Sequence, residues 1–352
     1  MPRTGRSLVA LVVAVAVLTA GAAGCSKKKK DKPQGSADTT AASTTTTVDT
    51  GPKVPSPLTG LPMPEALAKR GLLIVKIDNS PQARPQLGLA EADVVFEHLV
   101  EGGQTRFAAL YHSTDAAEVG PVRSARSTDM NLATSFNRPL FAYSGANAAF
   151  QVLLRRAVFV DVGLKALPDA YTRRPDRRPT SDLFTSTGAL YAGARFPGSA
   201  PVALWAFRAA GAPAVAGPPA SEASIDFAGP AATKVRWLWD AGAGGWRREQ
   251  DGSAHVDGTG KEVRASNVIV HFVNYKDSLI RDRTSAPVPE AQLVGEGSAW
   301  ILVDGKVIRG RWNKSSLTQA TVYVDESGKP VELRPGRTWV ELAPPGSASL
   351  VG

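Results

Sequence analysis

The chain has 352 residues, a formal net charge of +9 and one cysteine. A single cysteine excludes an internal disulfide framework, so stability has to come from core packing. Residues 1–57 hold 8 Lys/Arg against 3 Asp/Glu and the rest of the chain 33 against 29; the folded part is only mildly basic, and nucleic acid is not an expected partner.

In chain order, Arg3 and Arg6 precede an apolar run from Leu8 to Ala20, followed by Ala22-Ala23-Gly24-Cys25. A charged start, a short apolar stretch and small residues before the break describe an export signal, too short to span a bilayer, which takes about 20 residues. We expect residues 1–24 to be removed and Cys25 to carry lipid (palmitate), with Ala22 replacing the leucine usual at that position. The membrane is then the first partner, reached through Cys25, and the protein lies on the extracytoplasmic face of the cell membrane. Residues 25–57 read as a tether. Lys27 to Lys30 face anionic headgroups, and a Ser/Thr/Asp/Gly/Pro-rich stretch including Thr44 to Thr47 cannot bury enough apolar surface to fold.

The stretch from Leu58 onward is long for one core, and a Gly/Pro/Ala-rich seam divides it. The expected bodies are 58–208 and 225–345, with 209–224 as linker. The expected fold class is α+β, with an α/β-like N-terminal domain that contains an antiparallel hairpin and a mainly-β C-terminal domain. In the first body, strands are expected at Leu72 to Ile77, Val94 to Val100, Thr105 to His112, Leu140 to Tyr143 and Val158 to Val162. Helices are expected from Ser127 or Thr128 through Phe136, with Asp129 in the first turn, and from Asn147 to Arg156. In the second body, strands are expected at Lys234 to Trp239, Val268 to Val273, Ala299 to Val303, Val307 to Trp312, Thr321 to Val324 and Thr338 to Leu342. Asp304-Gly305 and Ser327-Gly328 are the turns. Six tryptophans there suit either a β core or a ligand groove.

Gly102-Gly103, taken as a two-residue turn, sets Leu99 opposite Arg106 and places Glu97, Glu101 and Arg106 on one face. Arg84 follows Asp78-Asn79, and Arg123 and Arg126 stand just before a predicted helix. Guanidiniums beside a helix start suit a phosphate or carboxylate. Arg84, Arg106, Arg123 and Arg126 are therefore candidate anion ligands, with Asp78, Glu97 and Glu101 as their acidic partners. Ser144, between a strand and a helix, has no assignable histidine. The four histidines have no metal-ligand spacing, and no motif asks for a cofactor.

Several runs resemble the YerB-like bacterial lipoproteins, a two-part domain-of-unknown-function family. They are Pro57-Leu58-Thr59-Gly60-Leu61, Ile77-Asp78-Asn79, Ala83 to Gln86, Gly88 to Glu97, Glu101 to Phe107, Gly120 to Arg126, Ser266 to Val270, Trp312-Asn313-Lys314 and Pro335 to Trp339. A histidine that members carry after their central arginines is absent from Arg178 to Phe184. The resemblance implies an exported, lipid-anchored envelope protein and supplies no reaction. The leading reading is a non-catalytic lipoprotein that binds an anionic cell-wall polymer or a wall-synthesis protein. An enzyme acting on envelope polymers or phosphate-linked carriers, with Asp78 or Glu97 as base or metal ligand, and a transporter's solute-binding lipoprotein are the alternatives.

Overall fold

Apolar runs with β-branched and aromatic residues build most of the molecule. The computed structural model describes residues 51–146, 148–154, 158–227, 232–281 and 287–352, so Cys25 and most of the tether lie outside it. Apart from the two-residue strands Ser253–Ala254 and Arg264–Ala265 at one side of the smaller sheet, the strands of the two main sheets are β1 Leu73–Asp78, β2 Val94–Leu99, β3 Thr105–Tyr111, β4 Leu140–Ala142, β5 Val160–Asp161, β6 Glu222–Asp226, β7 Lys234–Asp240, β8 Gly245–Gln250, β9 Asn267–Phe272, β10 Gly295–Val303, β11 Lys306–Lys314, β12 Val322–Asp325, β13 Thr338–Ala343 and β14 Ala348–Val351. The helices are α1 Ser127–Thr134, α2 Ala148–Leu154 and α3 Thr187–Gly193. Strand dominates, and helix is scarcer than an α+β fold leads one to expect.

Ten strands form one mixed sheet in the order β12-β11-β10-β9-β13-β2-β3-β1-β4-β5. Its two halves come from the two halves of the sequence. They join where β13 runs parallel to β2, with Thr338 opposite Val94 and Glu341 opposite Glu97. Strands β1, β2, β3 and β13 are buried along their whole length, as strands covered on both faces must be. Side chains alternate between the covers. Val95, Phe107, Val268 and Trp339 point to a second, antiparallel sheet that includes β8-β7-β6-β14 and meet its Trp237 and Trp246. Ile74, Phe96, Ala108, Ile269 and Val340 point the other way, onto Leu132 and Ala133 of α1. Trp237, Trp246, Trp312 and Trp339 are core residues.

The expected hairpin forms, but its register differs. Leu99 pairs with Thr105 and His98 with Arg106. Glu101–Gly103 makes a short 3-10 turn inside a five-residue connection, with Gly102 and Gly103 at φ +71° and +78°. The slip of one residue exchanges the faces of one strand relative to the other. Glu97 now shares a face with Phe107, and Arg106 shares the opposite one with His98. Asp304-Gly305 is the tight turn expected, both residues at positive φ between Val303 and Lys306. Within the stretch read as tether, Lys53–Pro55 pairs with Pro62–Pro64. At the far end of the segment read as linker, Ala220 is buried and β6 opens at Glu222. The start of the second predicted helix, Asn147, lies outside the described residues, as do 155–157.

Candidate functional site

Strand β1 ends at Asp78, directly across from Arg106 on β3. Arg106 Nε stands 3.8 Å from Asp78 Oδ1, and Arg123 Nε donates to Asp78 Oδ2 at 3.1 Å. Ser80 Oγ and Ser181 Oγ donate to the same oxygen at 3.0 and 3.4 Å. The loop that carries Arg123 is stitched along β1: Asp78 N–H donates to Pro121 O and Arg123 N–H to Lys76 O. Arg126 caps α1 and donates from Nε to Glu101 Oε1 at 2.5 Å. Three guanidiniums thus share two carboxylates.

Arg106 is the most confined, with a side chain 7% exposed. Its Nη1 donates to Ser124 O at 3.1 Å, while its buried Nε has no hydrogen-bond partner among the described residues. Burial, and then the charge of Arg126, pull its pKa down to about 10 despite Asp78 and Glu101. Both terminal nitrogens of Arg123 also lack an acceptor among the described residues. The site is a cluster of cations with incomplete neutralisation.

Arg84 and Glu97 do not join it. Arg84 pairs with Asp251 at 2.8 Å and lines a separate, open groove with Arg177 and Arg178. Glu97 lies on the other face of the sheet. There it accepts from Asn79 Nδ2 at 3.1 Å, Thr105 Oγ1 at 2.6 Å and Arg248 Nη2 at 2.6 Å. Arg248 is enclosed by the rings of Phe107, Trp237 and Trp339, 5.1 to 6.0 Å away. Beside it, Glu341 accepts from Trp237 Nε1 at 2.7 Å, and burial and Glu97 raise its pKa well above the ordinary range. This network links the two halves of the molecule across β2 and β13.

Beneath the arginines lies a cluster that the sequence pattern does not single out. Lys76 Nζ is 2.7 Å from Asp129 Oδ1 and 2.5 Å from His98 Nε2, and His98 Nε2 is 2.9 Å from Asp129 Oδ1. All three side chains are fully buried. Burial lowers the Lys76 pKa to about 8 against the pull of Asp129. Burial and Lys76 lower that of His98. Burial alone would raise Asp129, but Lys76 and His98 outweigh it and hold the carboxylate below its usual range. Asp129 Oδ2 also accepts the Arg126 backbone N–H at 2.7 Å, tying this cluster to the arginine that caps α1. Charged residues inside runs as apolar as Leu73-Ile74-Val75-Lys76-Ile77 and Val94-Val95-Phe96-Glu97-His98-Leu99 are the signal that could have found it. Ser144 Oγ lies 3.4 Å from Ser124 Oγ, with no histidine bonded to it among the described residues.

Two family models match in tandem. The one described as protein of unknown function (DUF3048), N-terminal domain, takes residues 58–198, and its C-terminal domain counterpart takes residues 224–340. The chain belongs to the DUF3048 family. A relative, YerB of Bacillus subtilis (strain 168), whose name describes it as a candidate lipoprotein, is 28% identical over 304 residues. That match spans 84% of this chain and 88% of the relative. The crystal structure of YerB superposes with a TM-score of 0.75 at 25% identity, covering 85% of this chain and 100% of that one. In this DUF3048 chain the arginine site falls within the N-terminal domain match. The Glu97–Arg248 pair joins residues from the two matched domains.

Proposed function

We propose that this protein is a lipid-anchored, extracytoplasmic lipoprotein that holds an anionic group of a cell-envelope component between Arg106, Arg123 and Arg126. The anchor rests on the leader ending at Cys25 and on the likeness to YerB. Among the described residues no helix is long and apolar enough to cross a membrane. The observation that carries the binding reading is the buried Arg106 guanidinium beside Arg123 and Arg126, three cations on two carboxylates. An anion between them would complete charge-assisted hydrogen bonds on the terminal nitrogens. Binding is favoured over catalysis because each candidate base is already committed: Asp78 to Arg106 and Arg123, Glu101 to Arg126, Glu97 to Arg248. The shared ten-stranded sheet also argues against two lobes hinged about a solute.

The test is cosedimentation of the full chain, in phosphatidylcholine nanodiscs, with cell-wall fragments that carry their anionic polymer and with fragments stripped of it. Binding should need the polymer, weaken with salt, and fall about tenfold or more in an Arg123→Gln, Arg126→Gln double variant. Equal binding by the double variant would remove this site from the reading.

A further inference from the structure

At the other end of α1 a narrow pocket opens between the helix and the large sheet. Its walls are apolar: Phe96, Leu132, Phe136, Leu204, Trp205 and Leu293. Its enclosed volume is about 30 Å³, and about 450 Å³ with the mouth included. That is more than the ~10–15 Å³ that one water requires.

Besides the hydroxyls of Ser135, Thr321 and Tyr323, the lining carries Lys314 and His271, and these two lack partners that burial demands. Lys314, at the end of β11, is 3% exposed. Its amine donates to the Gln319 carbonyl, and among the described residues no carboxylate comes within ion-pair distance. Buried charges are ordinarily paired. His271, on β9, is 2% exposed and lies on the Trp312 ring, with centroids 4.3 Å apart. Its Nδ1 is 2.9 Å from the Tyr323 hydroxyl, while Nε2 has no partner among the described residues. With the Tyr323 hydroxyl assigned as donor to Nδ1, the neutral ring carries its hydrogen on Nε2, a buried donor without an acceptor.

We infer that this pocket binds a slim amphiphile, an unbranched apolar chain ending in a carboxylate, with the carboxylate received by Lys314 and His271. The apolar walls take the chain. One ammonium and one N–H match the two oxygens and single charge of a carboxylate, whereas a phosphate dianion would leave charge and acceptors unmet. Of the groups facing the site, His271 is held down to about 3 by burial and Lys314, and the Tyr323 hydroxyl is raised by burial. Lys314, lowered by burial to about 8, is the one that titrates near neutral pH.

The experiment titrates the full chain, in phosphatidylcholine nanodiscs, with octanoate, octan-1-ol and octylamine, following tryptophan fluorescence with Trp205→Phe to assign the signal. Octanoate should bind saturably and more tightly than the other two. Lys314→Met should weaken it about ten- to a hundredfold. Wild-type binding should also weaken as pH rises past about 8, a readout that needs no variant. The Arg123→Gln, Arg126→Gln double variant should bind octanoate normally, so failure here is separable from failure of the arginine site. No saturable octanoate signal, equal affinity for octanol, or binding that neither Lys314→Met nor high pH weakens would overturn the inference.

Discussion

Replacing Asp129 with asparagine removes the negative half of the buried pair with Lys76 while keeping the side chain's shape. One-sided loss of a buried ion pair destabilises by about 3–5 kcal/mol. The lysine has an escape, because it can fold without its proton. Its ordinary pKa is 10.5 and its folded value about 8. Between those two values the unfolded chain binds more protons, so in the wild type this group adds stability as pH rises from 8 to 10.5 and is level below 8. Without Asp129 the amine gives up its proton at lower pH, and the rising limb extends below 8. The stability gap between variant and wild type should therefore narrow by about 1.4 kcal/mol per pH unit on approaching pH 8, then stay constant. His98 does not blur the comparison: its folded pKa lies below 6.5, so it is neutral in both proteins from pH 6.5 to 8. The assay is urea unfolding of the full chain, read by the buried Trp237 and Trp339. A gap that is unchanged from pH 6.5 to 8, or a loss under about 1 kcal/mol, would refute the picture of a lysine cation held by Asp129.

Glu341 is raised well above 4.5, so the wild type loses stability from this group as pH climbs from 4.5 toward its folded value. Glu341→Gln should be at least as stable as wild type at pH 8 by the same unfolding assay, and a loss beyond about 1 kcal/mol would count against a neutral acid there. A side chain at Gly310 would run into the Val324 carbonyl, so Gly310→Ala should force β12 away from β11 and lower stability by about 1–3 kcal/mol; an unchanged urea midpoint would contradict that pairing. Pyrophosphate at about 100 times its dissociation constant should stabilise the fold by about 2.7 kcal/mol, seen as a raised thermal midpoint that Arg123→Gln with Arg126→Gln abolishes.

The strands are legible because their apolar runs are long and bounded by turn residues: β1, β3, β9 and β13 lie within a residue or two of where the pattern puts them. Partnership is not. Asp78 meets Arg106 because β1 lies beside β3, an adjacency that one strand's periodicity cannot carry. A two-residue turn at the glycine pair would hand Glu97 to the arginines, and one residue of slip places it against Arg248 instead. Arg84 is near Asp78 in sequence, yet the chain turns it toward Asp251. Strand β8 escapes the pattern because Arg247, Arg248, Glu249 and Gln250 read as a polar surface. The alternation of Trp246, Arg248 and Gln250, all buried, with exposed or half-buried neighbours is a strand signature in which an arginine takes a core position. Lys76, His98 and Asp129 come from three elements, and only folding shows that they share a proton-bearing cluster.

The parallel seam between β2 and β13 has a bearing on timing. β2 lies in the first third of the sequence and β13 near its end, so the central strand pair of the large sheet waits for almost the whole polypeptide. Until Thr338 to Ala343 arrive, β2 has an open edge, and Glu97 and Glu341 have not both met Arg248. Contacts between distant parts of a chain form slowly. A polypeptide threaded through a membrane from its N-terminus would therefore stay pliant during passage and close on the far side, when its last long strand slots between two that are already waiting.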